Sequence, residues 1–259
     1  MSVRLDIAFD DLGSGMPLIL MHGFPLDRRI WSETARLLSD SFRLIALDLP
    51  GFGESKSSGT FTMDSMARDV HEFLAKMDVN RYILGGLSMG GYVAHAYANQ
   101  FRAELAGLLL TNTKSAADTD EAKRGREQMA EIARTRGAVP VAEQMFPKML
   151  TKHTIESEPQ VADRVRTIMN GCPPRTIEHA CIAMRDRADY TAQLSRYEIP
   201  TLIITGSEDP IATPDIAAQM HAGLRRGQLA IIPDASHLTP LEQPQLFADA
   251  VRSFFSAID

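Results

Sequence analysis

Tyr82-Ile83-Leu84-Gly85-Gly86-Leu87-Ser88-Met89-Gly90-Gly91 drives a short apolar strand into Gly-x-Ser-x-Gly, and the small residues that follow leave it as a helix. A serine on so tight a strand-to-helix turn must take a strained backbone conformation, and a Cβ two residues before or after it would strike the opposite limb of the turn. Gly86 and Gly90 remove that obstacle. The turn then lifts the Ser88 hydroxyl above the sheet edge, and the first amides of the following helix point into the same space, ready to meet developing negative charge. Ser88 is therefore the candidate nucleophile.

Outward from this turn the chain alternates. Residues 4–9 read as a half-buried strand, Asp10-Asp11-Leu12-Gly13-Ser14-Gly15 as a turn, and 17–21 as a second strand. Helical spacing over 31–38 and 63–77 brackets an apolar strand at 42–47, and the strand at 82–84 is followed by a helix over 89–99 and a strand over 105–111. Buried strands alternating with helices predict an α/β fold, a mostly parallel central sheet with helices on both faces. From about 116 to 196 no strand is expected, only helical segments near 120–136, 139–150, 159–170 and 175–187. Pro140, Pro147 and Pro173-Pro174 cut them, and Gly137 and Gly171 are stop signals. Strands resume at 201–205 and 228–232, and an amphipathic helix over 244–257 follows. The expected division is a core of residues 1–115 and 197–259 with an inserted helical cap at 116–196. Met129, Met145, Phe146, Met149, Met169 and Met184 lie in the insertion, and adaptable methionine side chains suit the lining of a permissive pocket; core packing of a helical layer is the competing reading.

Composition narrows the function classes. A chain of 259 residues can bury a sizeable core, and a net charge of -6 offers no basic footprint for nucleic acid. The first six residues, Met1-Ser2-Val3-Arg4-Leu5-Asp6, lack the apolar run of a secretory signal, and no segment approaches the length of a membrane span; a cytoplasmic location is expected. The two cysteines, Cys172 and Cys181, carry no metal-ligand spacing and are expected to be free thiols. No metal or cofactor is expected.

A serine hydroxyl needs a base, and the base needs a carboxylate to orient it and stabilise its charged form. Of seven histidines, His237 follows the apolar run Leu229-Ala230-Ile231-Ile232 and so emerges at the same carboxyl-end edge of a parallel sheet as Ser88. His71 and His95 fall on helices, His153, His179 and His221 in polar helical or loop surroundings, and His22 in a turn. Leu202-Ile203-Ile204-Thr205 ends in a loop with two acids, Glu208 and Asp209, of which Asp209 is the choice. Asp234 reads as a turn former, Glu242 as the start of the last helix and Asp215 as a residue near a helix start.

The chain order Ser88, Asp209, His237 differs from the orders of the chymotrypsin and subtilisin types and is that of α/β-hydrolases. The sequence resembles that family along almost its whole length: His22-Gly23-Phe24-Pro25, then Asp48-Leu49-Pro50-Gly51-Phe52-Gly53-Glu54-Ser55, the nucleophile turn, Gly206-Ser207-Glu208-Asp209-Pro210, and Ser236-His237. Within the family it is similar to small carboxylesterases, 3-oxoadipate enol-lactone hydrolases and cofactor-free perhydrolases. The resemblance implies an α/β-hydrolase fold, a Ser88–His237–Asp209 triad, and an oxyanion hole made by the backbone N–H groups of Phe24 and Met89. It implies loop-holding roles for Asp48, Ser55 and His22. Serine at position 88 argues against haloalkane dehalogenases and epoxide hydrolases, which use aspartate there.

The resulting expectation is a serine esterase or lactonase acting on small to medium acyl substrates, as a monomer or homodimer, with no nucleic-acid or membrane partner. Enol-lactone hydrolysis would require an arginine from the cap for the substrate carboxylate, with Arg124, Arg134, Arg175 and Arg187 as candidates. Perhydrolysis, carbon–carbon bond hydrolysis and a small-molecule receptor that retains the triad are the alternatives.

Overall fold

The computed structural model of the chain describes residues 6–56 and 59–256. In chain order it forms β1 (Phe9–Leu12), β2 (Pro17–Met21), α1 (Ser32–Leu38), β3 (Arg43–Leu47), α2 (Met63–Lys76), β4 (Tyr82–Leu87), α3 (Met89–Phe101) and β5 (Leu105–Thr111). The helices α4 (Asp120–Arg136), α5 (Ala138–Met145), α6 (Lys152–Ser157), α7 (Pro159–Gly171) and α8 (Pro174–Arg185) come next. The chain then returns to the sheet with β6 (Thr201–Gly206), α9 (Pro214–Ala222) and β7 (Gly227–Ile232), followed by α10 (Thr239–Glu242) and α11 (Pro244–Phe255). The strands pair in the order β1-β3-β2-β4-β5-β6-β7, with β1 antiparallel and the rest parallel. This is the α/β-hydrolase architecture that the sequence motifs imply.

Alternation along the strands sends side chains to two apolar layers. Leu18 and Leu20 of β2 pack into the layer that holds Trp31, Leu38, Phe247 and Val251; Ile19 and Met21 pack into the layer that holds Met66, Val70, Val93 and Tyr97. Every residue of β4 and β5 is buried, so these strands need covering on both faces. At roughly 1.5–3 kcal/mol for each large apolar side chain removed from water, the central strands anchor the edge from which the functional loops rise.

Two expectations change at the ends of the chain. The first strand occupies Phe9–Leu12 rather than 4–9: Asp6 to Ala8 have no regular structure, Arg4 and Leu5 lie outside the described residues, and the expected turn shrinks to Gly13–Gly15. An exposed edge strand tolerates the two acids inside it, Asp11 pairing with Arg43 and Asp10 with Arg28, and charge on an edge discourages pairing with another chain. Helix α11 is described to Phe255, and Ala257 lies outside the described residues.

In the segment between β5 and β6, the expected helix over 139–150 stops at Met145 and gives way to a 3-10 turn at Phe146–Lys148, because Pro147 cannot donate to a continuing helix. Pro140 does not cut: it sits in the first turn of α5, where a missing N–H costs no bond. The sequence reading expects no helices corresponding to α6 and α10, and of α9 only a helix start near Asp215; α6 and α9 each start at a threonine that caps the first turn, Thr151 and Thr213.

Candidate active site

Strand β4 ends at Leu87, and Ser88 follows with φ 53° and ψ −110°, a conformation that costs a non-glycine residue roughly 1–3 kcal/mol. Neighbouring bonds hold it there. Ser88 N–H donates to the Thr111 carbonyl at 2.9 Å, and Thr113 Oγ1 donates to the Ser88 carbonyl at 2.8 Å. A Cβ at Gly86 would stand 2.2 Å from the Gly90 carbonyl oxygen, across the turn as expected. At Gly90 the obstacle is different: its Cβ would meet the Met21 carbonyl oxygen at 2.4 Å, so this glycine lets α3 start against the end of β2.

That contact draws the β2 loop to Ser88. The Gly23 backbone lies against Leu87 and Ser88, and Phe24 shares a cavity with Ser88. Buried His22 braces the loop, accepting from Leu49 N–H through Nε2 at 3.0 Å and donating from Nδ1 to the Gly23 carbonyl at 2.8 Å. Burial pushes its imidazole below the ordinary value, which keeps it neutral for that pair of bonds. Asp48 accepts from the amides of Arg28 and Glu54 and pairs with the Arg28 side chain, while the Ser55 hydroxyl donates to the Asp48 carbonyl. These residues hold loops.

After β6, burial separates the two acids: Glu208 is exposed and Asp209 is buried. Asp209 Oδ1 accepts from the amides of Ile211 (2.7 Å) and Ala212 (3.0 Å), and Oδ2 from His237 Nδ1 and Asn112 Nδ2, each at 2.9 Å. Burial pushes the carboxyl up, but His237, Asn112 and the Ala212 amide outweigh it and hold Asp209 below the usual carboxylate range. An ionised acceptor on Nδ1 assigns the proton of neutral His237 to that nitrogen and leaves the Nε2 lone pair free to act as a base. His237 and Ser88 line the same cavity, and no hydrogen bond joins them in this structure; such bonds are often long before substrate closes a site.

Two residues of this constellation hold partners that sequence reasoning misses. Asn112, at φ 45° just past β5, donates to both Asp209 Oδ2 and the Ser236 carbonyl (3.1 Å), tying the acid loop to the histidine loop. Its place after a strand end, beside Thr111, was the available clue. Glu242 closes α10 rather than starting the last helix, and its carboxylate accepts from Ser236 N–H (2.6 Å), Thr151 N–H (2.6 Å) and Thr154 Oγ1 (2.9 Å). It thus joins the residue before His237 to the start of α6. Burial raises its pKa against the opposing effect of these donors. Asp234, at φ 52°, is a turn residue, and Asp215 lies in the first turn of α9.

The cavity holds about 160 Å³. On the sheet side it is lined by Phe24, Ser88, Tyr92, Ile211 and His237, and on the side of the inserted helices by Arg126, Met129, Met145 and Met184, with exposed Gln144 and Lys148 completing the wall. Phe146 and Met149 are outside it. The break at Pro147 turns Phe146 toward α7, where Arg166 stacks on its ring, and Met149 is fully buried with its carbonyl accepting from Leu238 N–H at 3.0 Å. Met169 lies with Phe146 on that far groove.

None of the four expected arginines reaches the cavity. Arg124 is exposed, Arg134 pairs with Glu131, Arg175 lies on a separate groove with Phe61 and His179, and buried Arg187 stacks on the outside of Tyr92 while pairing with Asp118. The arginine that lines it is Arg126, one turn before Met129 on the same face of α4. Cys172 and Cys181 are buried free thiols. Among the described residues there is no group of three potential metal ligands and no helix long and apolar enough to cross a membrane.

Known proteins place these features in context. A family model described as the alpha/beta hydrolase fold matches residues 16–244. The chain is 39% identical to a thermophilic esterase from Thermogutta terrifontis, solved with malate bound, over 97% of this chain and 93% of that one, with a TM-score of 0.95. It is 28% identical to a pimeloyl-[acyl-carrier protein] methyl ester esterase from Nitrosomonas europaea, over 93% of this chain and 96% of the other. It is 25% identical to 3-oxoadipate enol-lactonase 2 of Acinetobacter baylyi, over 91% and 87%.

Proposed function

The chain belongs to the α/β-hydrolase family, and on that premise we propose that it is a serine hydrolase of carboxylic esters or lactones, working through an acyl-enzyme formed on Ser88. The observation that carries the reading is the Asp209–His237 pair, whose free Nε2 shares one small cavity with a serine held in a strained turn.

Ser88 Oγ attacks the acyl carbonyl as His237 Nε2 takes its proton, and the imidazolium is stabilised by Asp209. The tetrahedral oxyanion is received by the backbone N–H groups of Phe24 and Met89, the second being a first-turn amide of α3 with no acceptor inside the helix. Each such donor is worth about 3 kcal/mol in the transition state. The C–O bond then breaks and the leaving alkoxide takes the proton from His237; in a lactone it stays tethered as the opened chain. Water repeats the sequence: His237 takes its proton, the new carboxylic acid departs, and Ser88 Oγ recovers its hydrogen. The helices between β5 and β6 act as a cap that shapes the acyl pocket.

Steady-state hydrolysis of 4-nitrophenyl acetate and butyrate tests this, with Ser88→Ala as control. Sustained turnover that vanishes in the control is expected. A single burst without further turnover would favour a ligand receptor, and full activity in Ser88→Ala would remove the assignment.

A further inference from the structure

The cap side of the cavity carries a charge that the acyl-transfer steps do not use. Asp118 sits at the centre of an ion cluster, its carboxylate paired with Arg187 at 2.8 Å and with Arg126 Nε at 3.2 Å. Asp118 and Arg187 are sealed, their side chains 1% and 2% exposed, whereas Arg126 is 19% exposed and its opening is onto the cavity beside Ser88 and His237. Arg187 already balances Asp118 and is spoken for elsewhere: it stacks over the Tyr92 ring and donates to the carbonyls of Met184 and Ala116. Arg126 thus brings a positive charge to the cavity wall, next to exposed Lys148. No Asp or Glu lines the cavity to offset it.

The geometry of that side chain is suited to a ligand. Only Nε of Arg126 is engaged in a hydrogen bond to protein among the described residues, and the residue lines the cavity. Asp118 fixes the guanidinium from behind, so its planar fork is oriented before anything binds. Met129, Met145 and Met184 flank it, with exposed Gln144 and Lys148 further along the wall, and a guanidinium set among thioethers is stabilised when an anion completes it. Shape selects the anion: the two coplanar oxygens of a carboxylate match the planar guanidinium fork, which can donate to both in parallel. Exposed Lys148 beside the cavity adds attraction for an anion approaching from solution.

We propose that Arg126 is the anion-recognising residue of this cavity, and that the substrate cleaved at Ser88 carries one free carboxylate besides the scissile carbonyl. This rests on the reading of Ser88 as the acyl-transfer nucleophile. The carboxylate can belong to the acyl part, as in a half-ester of a dicarboxylic acid, or to the leaving alcohol.

Two pairs matched in carbon chain distinguish these sources: mono-4-nitrophenyl glutarate against 4-nitrophenyl valerate, and 4-acetoxybutyrate against butyl acetate. The readout is the ratio of kcat/KM for the charged and neutral ester within one protein, which cancels any general loss of fold or chemistry. In one pair the wild-type ratio is expected to favour the charged ester, and Arg126→Gln to lower that ratio by about 10- to 100-fold, the worth of a charged hydrogen bond. Arg126→Lys, which keeps the charge without the fork, should fall between them. In both variants Asp118 keeps Arg187, so no buried carboxylate is orphaned. Ratios in both pairs that Arg126→Gln leaves unchanged would overturn the proposal. Calorimetric titration of glutarate into Ser88→Ala, and into Ser88→Ala with Arg126→Gln, separates this from the hydrolase reading. Binding that the second substitution abolishes upholds the subsite even if no ester is turned over; no binding, or equal binding, overturns it.

Discussion

The two sides of the cavity are built by different means. On the sheet side each functional group stands just past a strand: Phe24 after β2, Ser88 after β4, Asn112 after β5, Asp209 after β6 and His237 after β7. Their positions follow from the backbone, because parallel strands in register deliver consecutive loops to one edge. On the side of the inserted helices the groups are helix side chains, and a rotation of α4 or a break such as that at Pro147 decides whether Met129 or Phe146 lines the cavity. On the proposed reading, hydrogen-bonded loops hold the chemistry and helix packing sets the selectivity. Substitutions on the first side should act on kcat, and on the second side on KM or on the choice of substrate.

The largest test of that contrast is Asp209→Asn. An asparagine presenting its amide to Nδ1 would place the His237 proton on Nε2, the nitrogen that must accept from Ser88, and turnover should fall on the order of 10⁴-fold with the fold retained. A variant with near wild-type kcat on 4-nitrophenyl butyrate and a native circular dichroism spectrum would remove Asp209 from the mechanism. Asn112→Ala is expected to act in the same sense at smaller size. It takes a donor from both Asp209 and the Ser236 carbonyl, and kcat should fall by about 10²-fold while KM changes little, a loss of roughly 2–3 kcal/mol typical of hydrogen bonds to charged groups.

On the cap side, Met129→Ala should raise KM for butyrate esters about 3- to 10-fold with kcat nearly unchanged, from lost apolar contact. Phe146→Leu should lower stability by about 1 kcal/mol and leave KM alone, because its ring faces α7. Equal effects of the two on KM would erase the distinction between cavity wall and far groove.

Glu242 joins the two sides, and pH separates it from Asp209. Asp209 is held below its ordinary value of 3.8, so its contribution to stability is present above that value and is lost as pH falls through the folded-state value. Glu242 is raised above its ordinary 4.5, so its contribution is fully present below 4.5 and declines as pH rises through the folded-state value. In denaturant titrations from pH 3 to 8, the margin of wild type over Asp209→Asn should therefore shrink toward acid, and the margin over Glu242→Gln should shrink toward neutral pH. Parallel curves for the two variants would contradict the opposite environments of these carboxyls.

Much of the sheet was legible because its strands are apolar on both faces. The predicted strands at 17–21 and 105–111 coincide with β2 and β5, and loops placed at the ends of β4, β6 and β7 supply Ser88, Asp209 and His237. The edge strand β1 was misplaced because an exposed strand needs no apolar alternation, and its acids looked like a turn. Helices α6 and α9 are too short for periodicity to stand out. Phe146 and Met149 failed as pocket residues because helical spacing gives the phase of a face relative to its own helix and not the direction in which that face is mounted.

The sequence by itself therefore determined the architecture and the order of the candidate groups along it: apolar runs set the strands, and a glycine-flanked serine set the turn that carries the candidate nucleophile. Only the tertiary structure decided what surrounds that serine. Arg126 turns inward while Arg124 stays in water, Asn112 reaches Asp209 across 97 positions of sequence, and Glu242 ties Ser236 to Thr151. The reason is range. Backbone conformation and burial of a strand are set largely by neighbouring residues, whereas the partners of a polar side chain are fixed by elements far apart in the chain that meet only when the sheet and the inserted helices pack.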